Sequence, residues 1–282
     1  MSSPLQEIMC CLGPSLAGNP TQYVMEKCFD QANWDSRFLS LKVATEDLSS
    51  AIDGMRALNF CGAVIAGPYQ TEVVPYIEDI SPDADKIGAV NCLYRTTAGD
   101  WSGANTVGSG FLNALNNVFD PSGCNVLLMH TGSTARAIAL ALGQASVNKI
   151  TIAGHEQDSG SKLVDFLKEA CESSIEFVEW EGALAVEQDV RLVIHASEPG
   201  AVDPSEEVAL MTETLDSDML LADTCLGSPT TAFLRSGLTH GCRVLQGQQL
   251  LVSQWVECVR LWKGTEPDGD VMREALEEYL GL

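Results

Sequence analysis

Residues 125–142 read NVLLMHTGSTARAIALAL, and this stretch decides the fold class of the chain. Asn125–Met129 is short and largely apolar, as expected of a strand buried in a sheet. A turn of small and polar residues follows, and Ser133–Leu142 then has the apolar spacing of an α-helix. A strand that passes through a short turn into a helix is the repeating unit of a parallel α/β sheet.

The same alternation of short apolar runs and helical segments continues on both sides of this unit. Further strands are predicted at Glu7–Leu12, Phe38–Val43, Cys61–Ala66, Cys92–Arg95, Lys149–Ala153, Ile175–Glu179, Leu192–Ala196, Met219–Asp223 and Arg243–Gln246. Helices are predicted at Thr21–Asn33, Asp47–Leu58, Glu72–Ile77, Leu250–Trp262 and Val271–Leu280, and near Lys162–Cys171. The helical pattern of residues 108–119, GSGFLNALNNVF, joins the two α/β runs. The chain is therefore predicted to be an α/β protein.

Acidic residues greatly outnumber basic ones, and this limits the partners of the protein. Asp and Glu total 39 against 16 Lys and Arg, so the formal net charge is −23 over 282 residues. Such a surface disfavours nucleic acids and anionic membranes, because both are bound through basic side chains. A highly solvated exterior is the simplest interpretation of this charge. An anionic small molecule would need a local positive field, such as a helix N-terminus.

Ten cysteines are spread through the chain without a C-x-x-C pair, and most lie in apolar runs. Buried free thiols in a reducing compartment explain this pattern better than disulfides or a zinc site, and we predict no metal site. The N-terminal residues MSSPLQEIM lack the basic start and apolar stretch of a signal peptide. No apolar run approaches the ~20 residues of a membrane-spanning helix. We therefore expect a cytoplasmic protein.

The turn after the strand at 125–129 is a candidate anion site, because ligands bind at the carboxyl ends of parallel strands. It contains one glycine, Gly132, where a dinucleotide-binding turn uses several. The N–H groups that begin the following helix still offer anion affinity, helped by Thr131, Ser133 and Thr134. An ordinary strand-to-helix turn is the alternative.

Three of the four histidines, His130, His155 and His195, follow predicted strands. They are candidates for ligand contact or, if the strand order brings them together, for a metal trio; local hydrogen bonding is the other interpretation. Glu156 and Asp158 follow the strand at 149–153. An acid there can accept a hydrogen bond from a ribose 2′-hydroxyl and repels a 2′-phosphate, which favours NAD over NADP. A solvated loop carboxylate is the alternative.

Four motifs, read in order along the chain, resemble those of the shikimate dehydrogenase family. They are residues 62–70 (GAVIAGPYQ, similar to G-x-N-V-T-x-P-x-K), Ile87–Asn91 (IGAVN), residues 103–110 (GANTVGSG, similar to G-x-N-T-D-x-x-G) and residues 250–264 (LLVSQWVECVRLWKG, similar to a terminal glutamine helix). Their order and spacing over residues 7–264 make the resemblance specific.

The resemblance implies two domains separated by a cleft: a mostly parallel α/β substrate-binding domain and a Rossmann-like nucleotide-binding domain. We place the first domain at residues 1–106 and 248–282 and the second at residues 107–247. It also implies an oxidoreductase that interconverts 3-dehydroshikimate and shikimate, or a related hydroxy-cyclohexene carboxylate, with NADP or NAD as cofactor. The expected partner is thus a small hydroxy-carboxylate, and the expected assembly is a monomer or a homodimer.

The positions that match the substrate-binding residues of the family are partly kept. Asn19 and Thr21 stand where the family has two serines that hold the carboxylate, and both side chains can still donate hydrogen bonds. Asn91, Asn105 and Gln254 match family residues that contact the ring hydroxyls. The resemblance therefore assigns all five to substrate binding.

The positions that match the catalytic pair are substituted. The family's proton-transferring lysine falls at Gln70 and its aspartate partner at Val107. An amide donates a hydrogen bond but transfers no proton near neutral pH. Tyr69 and Glu72 are nearby candidates for a replacement acid. Two interpretations follow: a slow or altered dehydrogenase, or a non-catalytic protein that binds a small polar carboxylate.

The positions that match the cofactor site are substituted as well. His130 replaces the first glycine of the family's G-x-G-G turn, and His155 replaces an arginine that binds the 2′-phosphate of NADP. Together with residues 131–134 and Glu156, these two histidines form the predicted cofactor site.

Overall fold

The computed structural model of this protein describes residues 6–197, 205, 207–226 and 228–282. Within this part of the chain two compact units form, one comprising the residues up to Thr106 with Gln254–Leu282 and the other comprising Val107–Ser253. Residues 1–5, on which part of the signal-peptide argument rests, lie outside the described residues. No helix in the described ranges is long and apolar enough to cross a membrane.

The first unit is built on a six-stranded sheet. The described strands are β1 (Glu7–Gly13), β2 (Ser36–Lys42), β3 (Gly62–Ile65), β4 (Asp79–Ile80), β5 (Cys92–Arg95) and β6 (Trp101–Ala104), and the helices between them are α1 (Thr21–Gln31), α2 (Leu48–Ala57), α3 (Tyr69–Glu72) and α4 (Pro82–Ile87). The strand order is β2-β1-β3-β5-β6-β4, and β5 runs antiparallel to both of its neighbours. The carboxyl ends of β1, β3 and β6 and the amino end of β5 therefore share one edge of the sheet.

The second unit is built on a sheet whose described strands are all parallel. Its elements are α5 (Val107–Asn116), β7 (Asn125–Met129), α6 (Ser133–Gln144), β8 (Lys149–Gly154), α7 (Gln157–Ala170), β9 (Ser174–Glu179), β10 (Val190–His195), β11 (Leu220–Asp223), α8 (Ala232–Thr239), β12 (Arg243–Leu245) and the start of α9 (Gly247–Lys263). The last helix, α10 (Gly269–Leu280), belongs to the first unit.

The strand order of the second sheet is β12-β11-β10-β7-β8-β9. Counted from β7 and read from the β9 edge, this is the 3-2-1-4-5-6 order of a Rossmann fold. The order reverses between β7 and β10, and the carboxyl ends at such a reversal form the usual ligand-binding crevice. The predicted fold class, two α/β units with a Rossmann-like second sheet, is confirmed.

Most predicted elements form, with ends displaced by a few residues, but one predicted helix is wrong. The helix expected at Glu72–Ile77 is instead α3, which ends at Glu72, followed by a 3₁₀ turn at Val74–Tyr76. Pro75 explains this difference, because its ring removes the N–H that a continuous helix would need. Helix α7 also begins earlier than expected, at Gln157, and this makes Glu156 its N-cap residue.

Candidate functional site

In the first unit, Gln70 and Asn91 are joined through the end of β3. The side-chain Nε2 group of Gln70 donates to the Ile65 carbonyl at 3.1 Å. The backbone carbonyl of Gln70 accepts from the Val90 N–H at 2.7 Å. The Ile65 N–H in turn donates to the Asn91 carbonyl at 2.8 Å. The sheet edge therefore holds the Gln70 amide next to the backbone of residues 90 and 91.

The side chains of Asn91 and Asn105 form hydrogen bonds at the same edge. The Asn91 side chain is buried, with its Nδ2 group donating to Thr106 Oγ1 at 3.0 Å and its Oδ1 accepting from the Thr106 N–H at 2.7 Å. The Asn105 Nδ2 group donates to the Ala89 carbonyl at 3.0 Å. Gln70, Asn91 and Asn105, which the sequence places far apart, thus lie on one hydrogen-bonded edge.

The other predicted substrate residues lie at helices. Asn19 precedes α1, and its Oδ1 accepts from the N–H of Thr21 at 2.9 Å; Thr21 itself is buried. Because α1 follows β1, this pair lies toward the carboxyl end of β1, on the same edge as Asn91. Gln254 is half-buried on α9.

Tyr69 does not provide a replacement for the missing proton donor. Its side chain is fully buried, and its hydroxyl donates to the Val43 carbonyl at 2.9 Å and lies 3.2 Å from Thr45 Oγ1. At the second position of the catalytic pair, Val107 is the buried first residue of α5 and carries no titratable group. The structure therefore argues against a Tyr69 acid.

In the second unit, His130 and His195 meet at the point where the strand order reverses. His130 directly follows β7 with a left-handed backbone (φ 80°), and His195 is the last residue of the neighbouring strand β10. Their ring centroids are 4.9 Å apart. Burial, with a smaller electrostatic contribution from the neighbouring His195 and His155, lowers the pKa of His130 to about 4. His130 is therefore neutral at neutral pH.

His195 is held by a buried carboxylate. Its Nδ1 atom lies 3.1 Å from Asp223 Oδ1, and the other Asp223 oxygen accepts from the Thr231 hydroxyl at 2.6 Å. Burial by itself would raise the pKa of Asp223, but its hydrogen bonds from His195, Thr231 and the Cys225 N–H outweigh that effect and keep the pKa below its ordinary value. Asp223 is thus a charged acceptor that fixes the His195 ring.

A row of rings extends from this pair along the carboxyl edge. The His130 ring packs edge-on against Trp180 at 5.6 Å, and the Trp180 ring stacks on His155 at 4.7 Å with an angle of 16° between the planes. On the other side of the pair, His195 lies 5.6 Å from Phe233. The three histidines therefore share one edge, with Trp180 between His130 and His155. In the described part of the chain, no group of three or more His, Cys, Asp or Glu side chains is arranged to hold a metal ion.

The turn before α6 is the predicted anion site. Gly132 is exposed and is the N-cap residue of α6, a helix of 12 residues whose N-terminus carries the positive end of the helix dipole. The methyl group of Thr131 packs against Gly154 at the end of β8. A Cβ added to Gly154 would lie only 2.8 Å from that methyl carbon. The helix N-terminus therefore fits a phosphate, while the His130 side chain stands where the family has a glycine.

Several residues of this network were not predicted as site residues from the sequence. Trp180 directly follows the predicted strand at 175–179, and Asp223 ends the one at 219–223, so their positions at strand ends were the available signal. Phe233 follows β11 at a distance and carried no comparable signal.

Comparison with known proteins gives a consistent result. A family model described as the shikimate dehydrogenase substrate binding domain matches residues 18–93. The chain is 30% identical over 248 residues to a shikimate dehydrogenase (NADP(+)) of Microcystis aeruginosa, covering 85% of each chain. It is 28% identical over 275 residues to a protein of the same name from Moorella thermoacetica, covering 95% of this chain and 93% of the relative.

Among solved structures, a ligand-free 5-ketofructose reductase of a Gluconobacter strain superposes with a TM-score of 0.93 at 29% identity, covering 98% of this chain and 99% of the other.

Proposed function

Because this chain belongs to the shikimate dehydrogenase family, we propose that it is an oxidoreductase that interconverts a hydroxyl and a carbonyl group of a small polyhydroxylated compound, with NADP or NAD as cofactor. The proposed substrates are 3-dehydroshikimate and shikimate, or a related hydroxy-cyclohexene carboxylate. The observation that carries the proposal is the edge of the first sheet, where hydrogen bonds to the backbone of residue 65 and residues 89–91 hold Gln70 beside Asn91 and Asn105, two of the positions that match the family's substrate residues.

The first unit supplies oriented amides for substrate hydroxyls. The Asn91 side chain is fixed at both of its polar atoms by Thr106, so little conformational entropy remains to be lost when a ligand binds. The Asn105 amide is anchored through one N–H, which donates to the Ala89 carbonyl. Neutral amides of this kind recognise hydroxyl and carbonyl groups, which suits a polyhydroxylated ring.

Gln70 accounts for the slow or altered chemistry that we propose. One N–H of its amide is used by the Ile65 carbonyl, and the second can donate to a substrate carbonyl oxygen and polarise it. It cannot deliver the proton that carbonyl reduction requires, and loss of a general acid costs roughly 10²–10⁴ in rate. The effects of substituting two residues that act as a catalytic unit are not additive, so the valine at position 107 adds little to the loss of rate.

The second unit would hold the cofactor at the reversal of its strand order. The N–H groups at the start of α6 would bind a phosphate, with Thr131 and Thr134 beside them. A nicotinamide cofactor bound there supplies or accepts the hydride. His130 is neutral, and His195 is hydrogen-bonded to Asp223. These two rings would therefore offer polar contacts to the cofactor, and Asp223 would be the buried carboxylate behind them.

A second candidate function is binding without catalysis. The substitutions at Gln70 and Val107 favour it, because both positions lack a group that transfers protons. Such a protein would keep the hydrogen-bonding edge and sense or sequester a small polar carboxylate.

The double variant Gln70→Lys with Val107→Asp separates the two functions. We expect it to raise the rate of shikimate oxidation by roughly 10²–10⁴ relative to the unmodified chain, because it restores a group that transfers protons. The measurement is the initial rate of absorbance change at 340 nm with shikimate or quinate and NADP or NAD. Gln70→Lys alone serves as a second variant, since it places no carboxylate at the buried position 107.

Thr71→Lys is the matched control, because it adds the same charge at the exposed neighbouring residue. It should leave the rate unchanged. If shikimate and a nucleotide each raise the melting temperature but neither Gln70 variant gains activity, the dehydrogenase proposal is wrong and the binding function stands.

A further inference from the structure

Buried polar atoms without a hydrogen-bond partner are concentrated at the carboxyl edge of the second sheet. In the part of the chain that the structure describes, five buried side-chain nitrogen or oxygen atoms lack a partner. Three of them, His130 Nε2, Ser197 Oγ and Gln248 Oε1, belong to residues that follow β7, β10 and β12. Such atoms are destabilising, so their concentration at one edge indicates a place where a ligand supplies the hydrogen bonds.

The amide of Gln248 has a defined orientation. Gln248 is the second residue of α9 and is only 6% exposed. Its Nε2 group donates to the Leu226 carbonyl at 3.1 Å. Because a carbonyl oxygen only accepts hydrogen bonds, the amide nitrogen must face it, and the amide oxygen is the atom without a partner. Gln248 therefore presents a buried acceptor that requires a donor.

The start of α9 is held against the backbone that follows β11. A Cβ added to Gly247 would lie 2.2 Å from the Cys225 carbonyl oxygen, so a side chain at this position would clash. The Thr224 hydroxyl, one residue earlier, donates to the Ser197 carbonyl at 2.7 Å and so joins the residues that follow β10 and β11. Gln248 and Ser197 therefore both lie at the ends of these two strands.

The two side chains together match a neutral ligand group that has both a donor and an acceptor. Ser197 is only 3% exposed, and its hydroxyl can donate to a carbonyl oxygen. A primary carboxamide has an N–H for the Gln248 oxygen and a carbonyl for the Ser197 hydroxyl. A carboxylate does not match, because it has no hydrogen to donate and would place oxygen against the oxygen of Gln248.

From these observations we propose that Gln248 and Ser197 bind the carboxamide of the nicotinamide ring, and that Gln248 selects for its amide nitrogen. The inference rests on the proposed function, because it assumes that a nicotinamide dinucleotide binds at the edge of this sheet. A dinucleotide extends across the crevice of a Rossmann fold, with one mononucleotide on each half of the sheet. The predicted anion site follows β7, so the nicotinamide half belongs at the ends of β10 and β11. Two hydrogen bonds to one planar group orient the ring for hydride transfer.

Isothermal titration calorimetry on the full chain tests the inference without relying on turnover. The ligands are NAD and its 3-acetylpyridine analogue, in which a methyl group replaces the amide NH2. We expect NAD to bind about tenfold more tightly, because the analogue leaves the Gln248 oxygen without a donor. Gln248→Met removes the acceptor at similar size and should bring the two affinities within about twofold of each other. The same pair of ligands is measured in the NADP form.

Ser197→Ala is the second variant. It should weaken the binding of both dinucleotides by about threefold to tenfold and keep their ratio, because both retain the carbonyl that the serine hydroxyl contacts. Gln249→Met is the matched control, because it makes the same change at the exposed neighbouring residue of α9. It should leave both affinities unchanged.

The outcomes separate this inference from the proposed function. Equal binding of NAD and its acetylpyridine analogue to the unmodified chain would overturn the inference and leave the proposed oxidoreductase standing. An unchanged ratio of the two affinities in Gln248→Met would do the same. Binding of neither NAD nor NADP would overturn both.

Discussion

His130 shows at the scale of one residue how the second unit departs from a dinucleotide turn. Its left-handed backbone (φ 80°) is one that a glycine adopts without strain and a histidine adopts at a cost. Its ring is packed against His195 and Trp180, and its buried Nε2 atom has no hydrogen-bond partner among the described residues. The residue is therefore held in place by its neighbours while its own charged form is disfavoured.

This environment predicts an acid sensitivity of folding. The pKa of His130 is lowered from 6.5 to about 4, so the unfolded chain binds the extra proton first as the pH falls. Stability contributed by the neutral ring is fully present above about pH 6.5 and is lost progressively as the pH falls toward 4. At pH 5 we expect a loss on the order of 1–2 kcal/mol, after allowance for partial exposure of the ring. His130→Asn should remove this part of the acid-induced fall in melting temperature.

Melting temperatures between pH 7.5 and 4.5 measure the effect. Asparagine is chosen because it tolerates the left-handed backbone. His240→Asn is the matched control, since His240 caps α8 with its Nδ1 atom 2.8 Å from the Ser236 carbonyl and does not belong to the row of rings. Identical pH profiles for the unmodified chain and the His130 variant would refute this account.

Helix α9 fixes the first sheet through one side chain. The Trp262 Nε1 group donates to the Leu93 carbonyl at 2.9 Å, and its ring covers β3 where Gly62 has no side chain. A Cβ added at Gly62 would lie 2.2 Å from Trp262 Nε1, far inside contact distance. We expect Gly62→Ala to destabilise the protein by roughly 1–3 kcal/mol, because the half-buried indole must move or lose its hydrogen bond.

Gly54→Ala is the matched variant, and we expect it to stabilise the protein where Gly62→Ala destabilises it. Gly54 lies inside α2, and a Cβ there would meet nothing within 4 Å. Alanine should therefore stabilise the helix by about 0.5–1 kcal/mol. Thermal unfolding of both variants measures the difference. A Gly62→Ala protein as stable as the unmodified chain would show that Trp262 is not tightly packed on β3.

Two of the elements that the sequence did not predict, β6 and α8, have a common physical cause. Strand β6 reads WSGA, and its Gly103 leaves room for Val90, so the pattern lacks the apolar side chains that indicate a strand. Helix α8 contains Gly237, whose missing side chain allows close approach to Leu221. In both elements a glycine allows a neighbouring side chain to pack closely. The periodicity of apolar residues in the sequence does not indicate such packing.

At the scale of the whole molecule, the sequence predicted which residues end strands, and the strand order decides which of them meet. Because β10 lies beside β7, His195 reaches His130, whereas β8 on the other side of β7 leaves His155 separated from His130 by Trp180. The sequence alone could not order these strands. The partner Asp223 follows from the same order, since β11 lies beside β10 and pairs His195 with Asp223.

The net charge of −23 predicts that salt stabilises the protein. Like charges repel over the compact surface, and most ion pairs, such as Arg273 with Glu277, are exposed and contribute little. Raising NaCl shortens the screening length from about 30 Å at 0.01 M to about 10 Å at 0.1 M, so repulsion weakens more than the short-range pairs do. We expect the melting temperature to rise by several degrees over this range and to level off above roughly 0.3 M, where screening of distant charges is nearly complete. A rise that continued linearly to higher salt would point to exclusion of the salt from the protein surface, and a fall would show that the ion pairs outweigh the repulsion.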